Sequence, residues 1–340
     1  MNTQKTSIFS LTKEALSSFL KENGHSKNLA TSIYEFLYKK KSTQNISPKT
    51  WDLLNNSFSF NLPTIVNKSI ANDGTYKLLM EFSDHLRVET VLIPFHKRYT
   101  VCLSSQVGCA MKCSFCFTGT QGLTRNLLAS EIVGQYLMAK KILETEISNE
   151  AMIPNIVLMG QGEPLHNFDE VRLALLIMLE SDGMALGPRQ ITLSTAGYLP
   201  GLKKFNLLPK INLALSLHSP FNEIRKTLIP ITGQYPIKNI FQALDEVQLM
   251  KRQFITYEYL LIDEVNDRLE DAIALEELLV GRKAIINIIP FNPFPGSKYK
   301  RPSPKKVETF KKMLVDLKLR TMVRTTKGSD ILAACGQLTS

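Results

Sequence analysis

Cysteine is scarce in this 340-residue chain, and the five present are an odd number with three crowded together. That excludes the evenly paired disulfide framework of a small secreted domain. No apolar run approaches the about 18 residues of a membrane span, so no membrane anchoring is expected. The N-terminal stretch MNTQKTSIFSLTKEALSSF has no signal-peptide core and carries an acid early, which points to the cytoplasm. Acidic residues are also short, with 31 against 41 lysines and arginines and a net charge of +10. The excess is uneven. Residues 1–60 hold eight basic and four acidic residues and 291–340 hold eleven and three, whereas 61–290 hold 22 and 24. Basic ends around a near-neutral middle suit a protein whose flanks hold a polyanion while its centre does chemistry.

What is present begins with a core: 44% hydrophobic residues against 21% charged. Residues 11–60 read as helices, because Leu11, Ala15, Phe19 and Leu20, then Ile33, Phe36 and Leu37, recur at helical spacing. This small helical module is expected to span 1–62. Residues 63–103 read as a β extension, with TYKLLMEF and HLRVETVLIP joined across SDH as a hairpin. In ASEIVGQYLMAKKILE one face carries Ile132, Val133, Tyr136 and Leu137, with Ser130 as the expected cap.

Beyond that helix, six strand-like segments (NIVLMG, RQITLSTAG, KINLALSLHS, ITYEYLLI, AIINIIPF, TMVRT) alternate with helical stretches. The pattern predicts an α/β fold with parallel strands and crossover helices. Six units predict an open or partial barrel over 104–340, with a doubly wound sheet as the alternative. In INLALSLH the residues Ile211, Leu213, Leu215 and Leu217 share one face, and Asn212, Ala214, Ser216 and His218 share the other. In QITLST, Thr192 and Ser194 oppose Ile191 and Leu193. Small polar inner faces predict a ligand cavity at the C-terminal strand ends.

The crowded cysteines are Cys109, Cys113 and Cys116, in CAMKCSFC. Thiolates are soft ligands and select zinc, cuprous copper or iron–sulfur clusters. Structural zinc wants four ligands, and no second C-x2-C or cysteine–histidine pair is near. Three thiols fit a [4Fe–4S] cluster with one iron left open.

C-x3-C-x2-C with Phe115 before its last cysteine resembles the signature of the radical S-adenosylmethionine superfamily. The resemblance implies a partial (β/α)6 barrel whose open iron chelates S-adenosylmethionine and whose electron yields a 5′-deoxyadenosyl radical. SSQVGCAMKCSFC, TGTQGLTRNL, MGQGEPLHN, ITLSTAG, SLHSP, IPFNPFPGS and GSDILAACGQL narrow it, over roughly 66–338. Together they resemble the bacterial family that methylates adenine C2 in the peptidyl transferase centre of 23S rRNA and next to the anticodon of certain tRNAs. One departure is Phe117, where a small residue is expected.

The resemblance implies the following roles. Gly162 and Glu163 receive the amino group of the cofactor. Ser194, Ser216, Leu217 and His218 meet its carboxylate and ribose, and Asn292 its adenine. C2 of adenine has no lone pair, so plain polar methyl transfer is closed, and two cofactor molecules are used per turnover. Cys335 takes one methyl by displacement. After hydrogen abstraction the resulting methylene joins RNA to Cys335, and Cys102 attacks the Cys335 sulfur, leaving a disulfide. Glu89 or Cys102 takes the C2 proton. A flavodoxin-type reductant and a monomeric enzyme are expected. GSDILAACGQL, rich in glycine, is expected to be a mobile tail. PGSKYKRPSPKK and the lysines at 39–41 are the candidates for RNA phosphate. Two other readings remain: methylation at C8 of the same rRNA adenosine, and a non-catalytic iron–sulfur RNA-binding protein.

Overall fold

A computed structural model describes residues 5–96, 98–147 and 152–339. Three helices open the chain: α1 (Lys13–Glu22), α2 (Leu29–Lys39) and α3 (Pro48–Ser57). Thr12 caps α1 by accepting from the Ala15 amide (3.1 Å), and Ser47 caps α3 by accepting from the Thr50 amide (3.2 Å), with Pro48 starting the helix. Leu16, Leu20, Ile33 and Leu54 are fully buried and join the main core. Lys13 adds an ion pair to Asp182 (2.8 Å) beyond the core contact.

Four antiparallel strands follow: β1 (Thr64–Ile70), β2 (Tyr76–Glu81), β3 (Arg87–Phe95) and β4 (Arg98–Cys102). The hairpin expected across SDH is β2–β3, closed by Glu81 opposite Arg87. β4 then pairs in parallel with β7 (Met152–Leu158). It is the first strand of the parallel wall, although it falls within the stretch read as an extension.

Between β4 and β7 lie the short pair β5 (Gln106–Gly108) and β6 (Leu123–Asn126), with α4 (Phe117–Gln121) between them, and then α5 (Ala129–Ile142). Ser130 does not cap α5. Glu131 reaches back to the Leu128 amide (2.8 Å), and both its oxygens are forked by Arg125, so the carboxylate takes over the capping role.

The remainder alternates as predicted: α6 (Phe168–Leu179), β8 (Ile191–Thr195), α7 (Leu199–Leu202), β9 (Asn212–Ser216), α8 (Asn222–Leu228), α9 (Ile237–Asp245), β10 (Ile255–Leu261), α10 (Leu269–Leu279), β11 (Ala284–Pro290), α11 (Pro304–Asp316) and β12 (Thr321–Val323). The ten-stranded sheet runs β1-β2-β3-β4-β7-β8-β9-β10-β11-β12, parallel from β4 onward. β1 and β12 remain edges, so the wall is an open partial barrel. Its six strand–helix units start at β4, and β12 is a three-residue closing strand. Leu213, Leu215 and Leu217 enter the aliphatic core, as strand alternation requires. No helix among the described residues is long and apolar enough to cross a membrane.

Candidate functional site

β5 and β6 clamp the ends of the cysteine loop, and the Cys109 amide donates to the Gly122 carbonyl (2.7 Å). Ser114 fixes the middle by bonding to the Thr227 carbonyl (2.7 Å) and the Tyr299 hydroxyl (2.8 Å). The Phe117 ring, where a small residue is expected, stacks on Phe294 at 5.2 Å and 10°.

Cys109, Cys113 and Cys116 line one cavity together with Gly162, Glu163, Ser194, Ser216, His218, Glu258 and Cys335. Burial pushes the Cys109 thiol up to about 12 and Cys113 well above its ordinary value, and the mutual repulsion of the three adds to this. Burial also raises Cys116, opposed by hydrogen bonds from Gly119 and Thr118. Such thiols ionise together only beside a strong cationic centre, which coordination supplies. Among the described residues no three His, Cys, Asp or Glu side chains converge as one metal ion would require. Three soft thiolate donors on one cavity wall are the ligand set that an iron–sulfur cluster takes.

Glu163 follows β7 and is almost fully buried. Its carboxylate accepts from the Ala196 amide (2.7 Å) and the Leu165 amide (3.0 Å). Burial nevertheless raises it to about 7. Gln106 holds the same turn: its carbonyl oxygen accepts from the Glu163 amide (2.8 Å), and its amino group meets Asn126 (2.7 Å) and His166 (2.9 Å). In MGQGEPLHN, Gln161 accepts from the Glu89 amide and Asn167 donates to the carbonyls of Ser105 and Leu127. The motif thus bolts the β7 turn to the strand that leads into the cysteine loop.

Ser194 donates to Glu258 (3.1 Å), whose carboxyl is raised by burial. His218 adopts a left-handed backbone (φ 58°), and its Nδ1 accepts from the Leu260 amide (3.0 Å), so Nε2 carries the hydrogen. Burial, helped by Arg225, lowers His218 to about 3 and keeps it neutral. Ser216 lines the cavity as expected. Leu217 does not: its side chain belongs to the aliphatic core, on the opposite strand face.

A second cavity is lined by Cys102, Asn292, Arg324, Thr325, Thr326, Lys327 and Cys335, among others. The two cavities share Met159, Ile289, Cys335 and Leu338 as wall. Cys335 therefore faces both, and Cys102 only the second. Both thiols are free. Burial pushes Cys102 up to about 12, with Cys335 adding and Arg324 opposing. Burial raises Cys335 too, against Arg324.

The tail is an ordered strap rather than a loose segment. The Phe117 amide donates to the Gly336 carbonyl (2.7 Å), Thr118 to the Leu338 carbonyl (2.7 Å) and Gln337 to the Pro293 carbonyl (2.6 Å). Asn292 is engaged in the strap. It donates to the Cys335 carbonyl (3.3 Å) and accepts from Arg301 (2.7 Å) and Thr326 (3.1 Å). Glu89 lies on neither cavity. Its carboxylate pairs with Lys77 (2.9 Å) and accepts from the Thr339 amide (2.7 Å). Burial raises Glu89 overall, against Lys77.

The lysine runs are partly spent within the fold. Arg301 serves Asn292, Lys306 pairs with Asp263, Lys40 with Glu144 and Lys41 with Glu35. Sequence reasoning missed Glu258 and Arg324. Glu258 had a signal: in ITYEYLLI it shares the inner face with Thr256, as Ser194 does with Thr192. Arg324 had none beyond its place after a short strand.

Comparison with known proteins agrees with this geometry. Residues 103–275 match the radical SAM superfamily. The dual-specificity RNA methyltransferase RlmN of Sinorhizobium fredii is 39% identical over 99% of this chain and 89% of its own length. That of Pelobacter propionicus is 40% identical, over 99% and 96%. The crystal structure of a radical SAM methyltransferase from Sphaerobacter thermophilus superposes with a TM-score of 0.89 at 36% identity, covering 98% of this chain and 99% of that one. A three-cysteine loop at the mouth of a partial barrel, with matches along nearly the whole chain, means that this protein belongs to the radical SAM superfamily and, within it, to the family of dual-specificity RNA methyltransferases RlmN.

Proposed function

We propose that the protein methylates C2 of an adenosine in the peptidyl transferase centre of 23S rRNA and of an anticodon-adjacent adenosine in tRNA. One observation carries the reading. Two free thiols face one cavity, and one of them, Cys335, also faces the cavity of the three cluster cysteines. A thiol on both walls can take up a methyl on one side and hand it on at the other.

Cys109, Cys113 and Cys116 would hold the [4Fe–4S] cluster, which with bound S-adenosylmethionine supplies the radical chemistry. Glu163 receives the cofactor's ammonium, with Ser194, Ser216 and neutral His218 meeting its other polar groups. Cys335 carries the methyl as a thioether, and the RNA carbon becomes joined through that methylene. Cys102 then attacks the Cys335 sulfur. A sulfur–sulfur bond forms, the bond between the Cys335 sulfur and the methylene breaks, and its electron pair stays on the methylene, which takes up a proton and becomes the methyl of the RNA. Cys102 lies on the cavity and Glu89 does not, so Cys102, once ionised beside Arg324, is the group placed to accept the C2 proton while the strap is closed. Residues 1–62 act as an RNA-binding accessory module and 63–103 as the extension that holds the strap, against a catalytic body of 104–340. The basic ends and the family membership support RNA as substrate, held by backbone phosphate. The target base must leave its stack to enter. A monomer served by a flavodoxin-type reductant in the cytoplasm completes the reading.

The deciding experiment is nucleoside mass spectrometry of rRNA and tRNA treated with reconstituted protein, cofactor and reductant. 2-Methyladenosine is the expected product. 8-Methyladenosine alone would overturn the choice of carbon, and an uncleaved cofactor would leave only an iron–sulfur RNA-binding protein.

A second outcome follows from Glu163. Its folded value of about 7 means that it loses charge as pH falls through neutrality. Ionising it opposes folding in the cofactor-free protein, and an ammonium beside it reverses that sign. Cofactor affinity measured by calorimetry is therefore expected to fall by up to about tenfold per pH unit below neutrality. Glu163→Gln should bind weakly with little of this pH dependence. A pH-independent wild-type affinity would remove Glu163 from the ammonium site.

A further inference from the structure

Arg225 on α8 is fully buried, the largest such side chain among the described residues. Its guanidinium is hydrogen-bonded on all sides by neutral groups. Nε donates to the Leu217 carbonyl (3.0 Å), Nη1 to the Thr232 hydroxyl (2.7 Å), and Nη2 to the carbonyls of Ala196 (2.7 Å) and Ser216 (2.9 Å). Among the described residues it makes no ion pair with a carboxylate. A buried cation without a countercharge is strongly unfavourable, and proteins leave one only where something compensates it.

The compensation lies on the cysteine loop. The C-terminal end of α8 is where that loop docks: the Ser114 amide donates to the Leu228 carbonyl (3.0 Å) and its hydroxyl to the Thr227 carbonyl (2.7 Å). Met111 packs against Leu228 and Ile229 in one apolar cluster. Next to Ser114 stands Cys113, and the carbonyls that Nη2 holds belong to Ala196 and Ser216, both of which line the cavity of Cys109, Cys113 and Cys116, so the guanidinium sits directly behind that wall. Burial lowers Arg225 only to about 10, so it stays charged at neutral pH. His218, close to Arg225, is neutral. Glu163 is reached only through Ala196, whose amide donates to Glu163 and whose carbonyl accepts from Arg225.

We propose that Arg225 is the fixed countercharge of the iron–sulfur centre, and that its buried positive charge raises the cluster's reduction potential. A four-iron cluster on three thiolates is anionic and gains a further negative charge on reduction, so a cation held nearby favours the reduced form. The same side chain is a positioning residue, since it ties the ends of β8 and β9 where they line the cofactor cavity. The inference rests on the cluster assigned above and goes beyond it in naming what sets the potential.

The test is a potentiometric titration followed by electron paramagnetic resonance, on reconstituted full-length protein without cofactor or RNA. Arg225→Lys keeps the charge and should stay near the wild-type midpoint. Arg225→Met removes it. Thr232→Asp leaves Arg225 in place but sets a carboxylate against Nη1, which neutralises the charge. Both of the latter should lower the ratio of reduced to oxidised cluster at least tenfold at the wild-type midpoint, about 59 mV for one electron. Thr232→Val, which removes the hydroxyl without adding charge, should leave the midpoint in place. If Arg225→Met does not fold, Thr232→Asp decides by itself. Full iron loading with an unmoved midpoint in Thr232→Asp would overturn the proposal and leave Arg225 a purely structural strut. Failure of the wild-type protein to take up a four-iron cluster would instead overturn the assignment of the centre.

Discussion

Cys102→Ala protein is expected to end its first turnover covalently joined to RNA through Cys335. In the proposed sequence Cys102 acts last, after the bond between Cys335 and the RNA carbon has formed. Its sulfur is the only other thiol on the cavity that Cys335 shares with Asn292 and Arg324. The remaining cysteines face the first cavity and are committed to iron in this reading. No neighbouring thiol can then replace it. The substitution is mild for the fold, because Val91, Ala333 and Leu338 pack around a position that loses a single sulfur atom. Denaturing electrophoresis should show protein and RNA migrating together, and nuclease digestion followed by mass spectrometry should place one nucleotide on Cys335. Free methylated RNA should fall to background. Unimpaired multiple turnover by this variant would sink the role of Cys102.

Gly162→Ala should damage cofactor binding and stability together. Gly162 has φ of +100°, and an added Cβ would meet the Gln106 Cβ at 2.6 Å and the Gln106 amide nitrogen at 2.8 Å. The backbone strain costs about 1–2 kcal/mol, and crowding a packed position costs a further ~1–3 kcal/mol. The displaced group matters more than the sum. Gln106 holds the Glu163 amide and bridges Asn126 and His166, so moving it tilts the carboxylate proposed to receive the ammonium. Affinity for S-adenosylmethionine, measured on cluster-loaded protein, should fall at least tenfold. Gly24→Ala serves as control: φ there is +77° but nothing lies within 4 Å of the added carbon. It should lose about 1 kcal/mol of stability and none of the affinity. Equal loss of affinity in both variants would mean that the Gly162 turn does not position Glu163.

Some of this was settled by local sequence. Three cysteines within eight residues need no tertiary structure to come together, because the chain joins them directly. Strand alternation is equally local, so it places Ser194, Ser216 and His218 on the cavity and Leu213 and Leu215 in the core. The same rule, applied to Leu217, would have kept it off the cavity.

What the tertiary structure decided is whatever depends on pairing across the sheet and on burial. Cys102 ends β4 and Cys335 follows β12, and only the curvature of the open wall with the closed strap brings both to one cavity. Glu89 and Cys102 are close in sequence, yet only Cys102 reaches the cavity, because Lys77 and Thr339 hold the Glu89 carboxylate. Arg301 looks like one more phosphate-binding cation in a basic run, but the fold turns it inward onto Asn292. Arg225 looks like an ordinary helix-surface residue in NEIRKTL, and its guanidinium is fully buried. A charge's partner is chosen by distance and dielectric in three dimensions, and neither quantity is written in the order of residues along the chain.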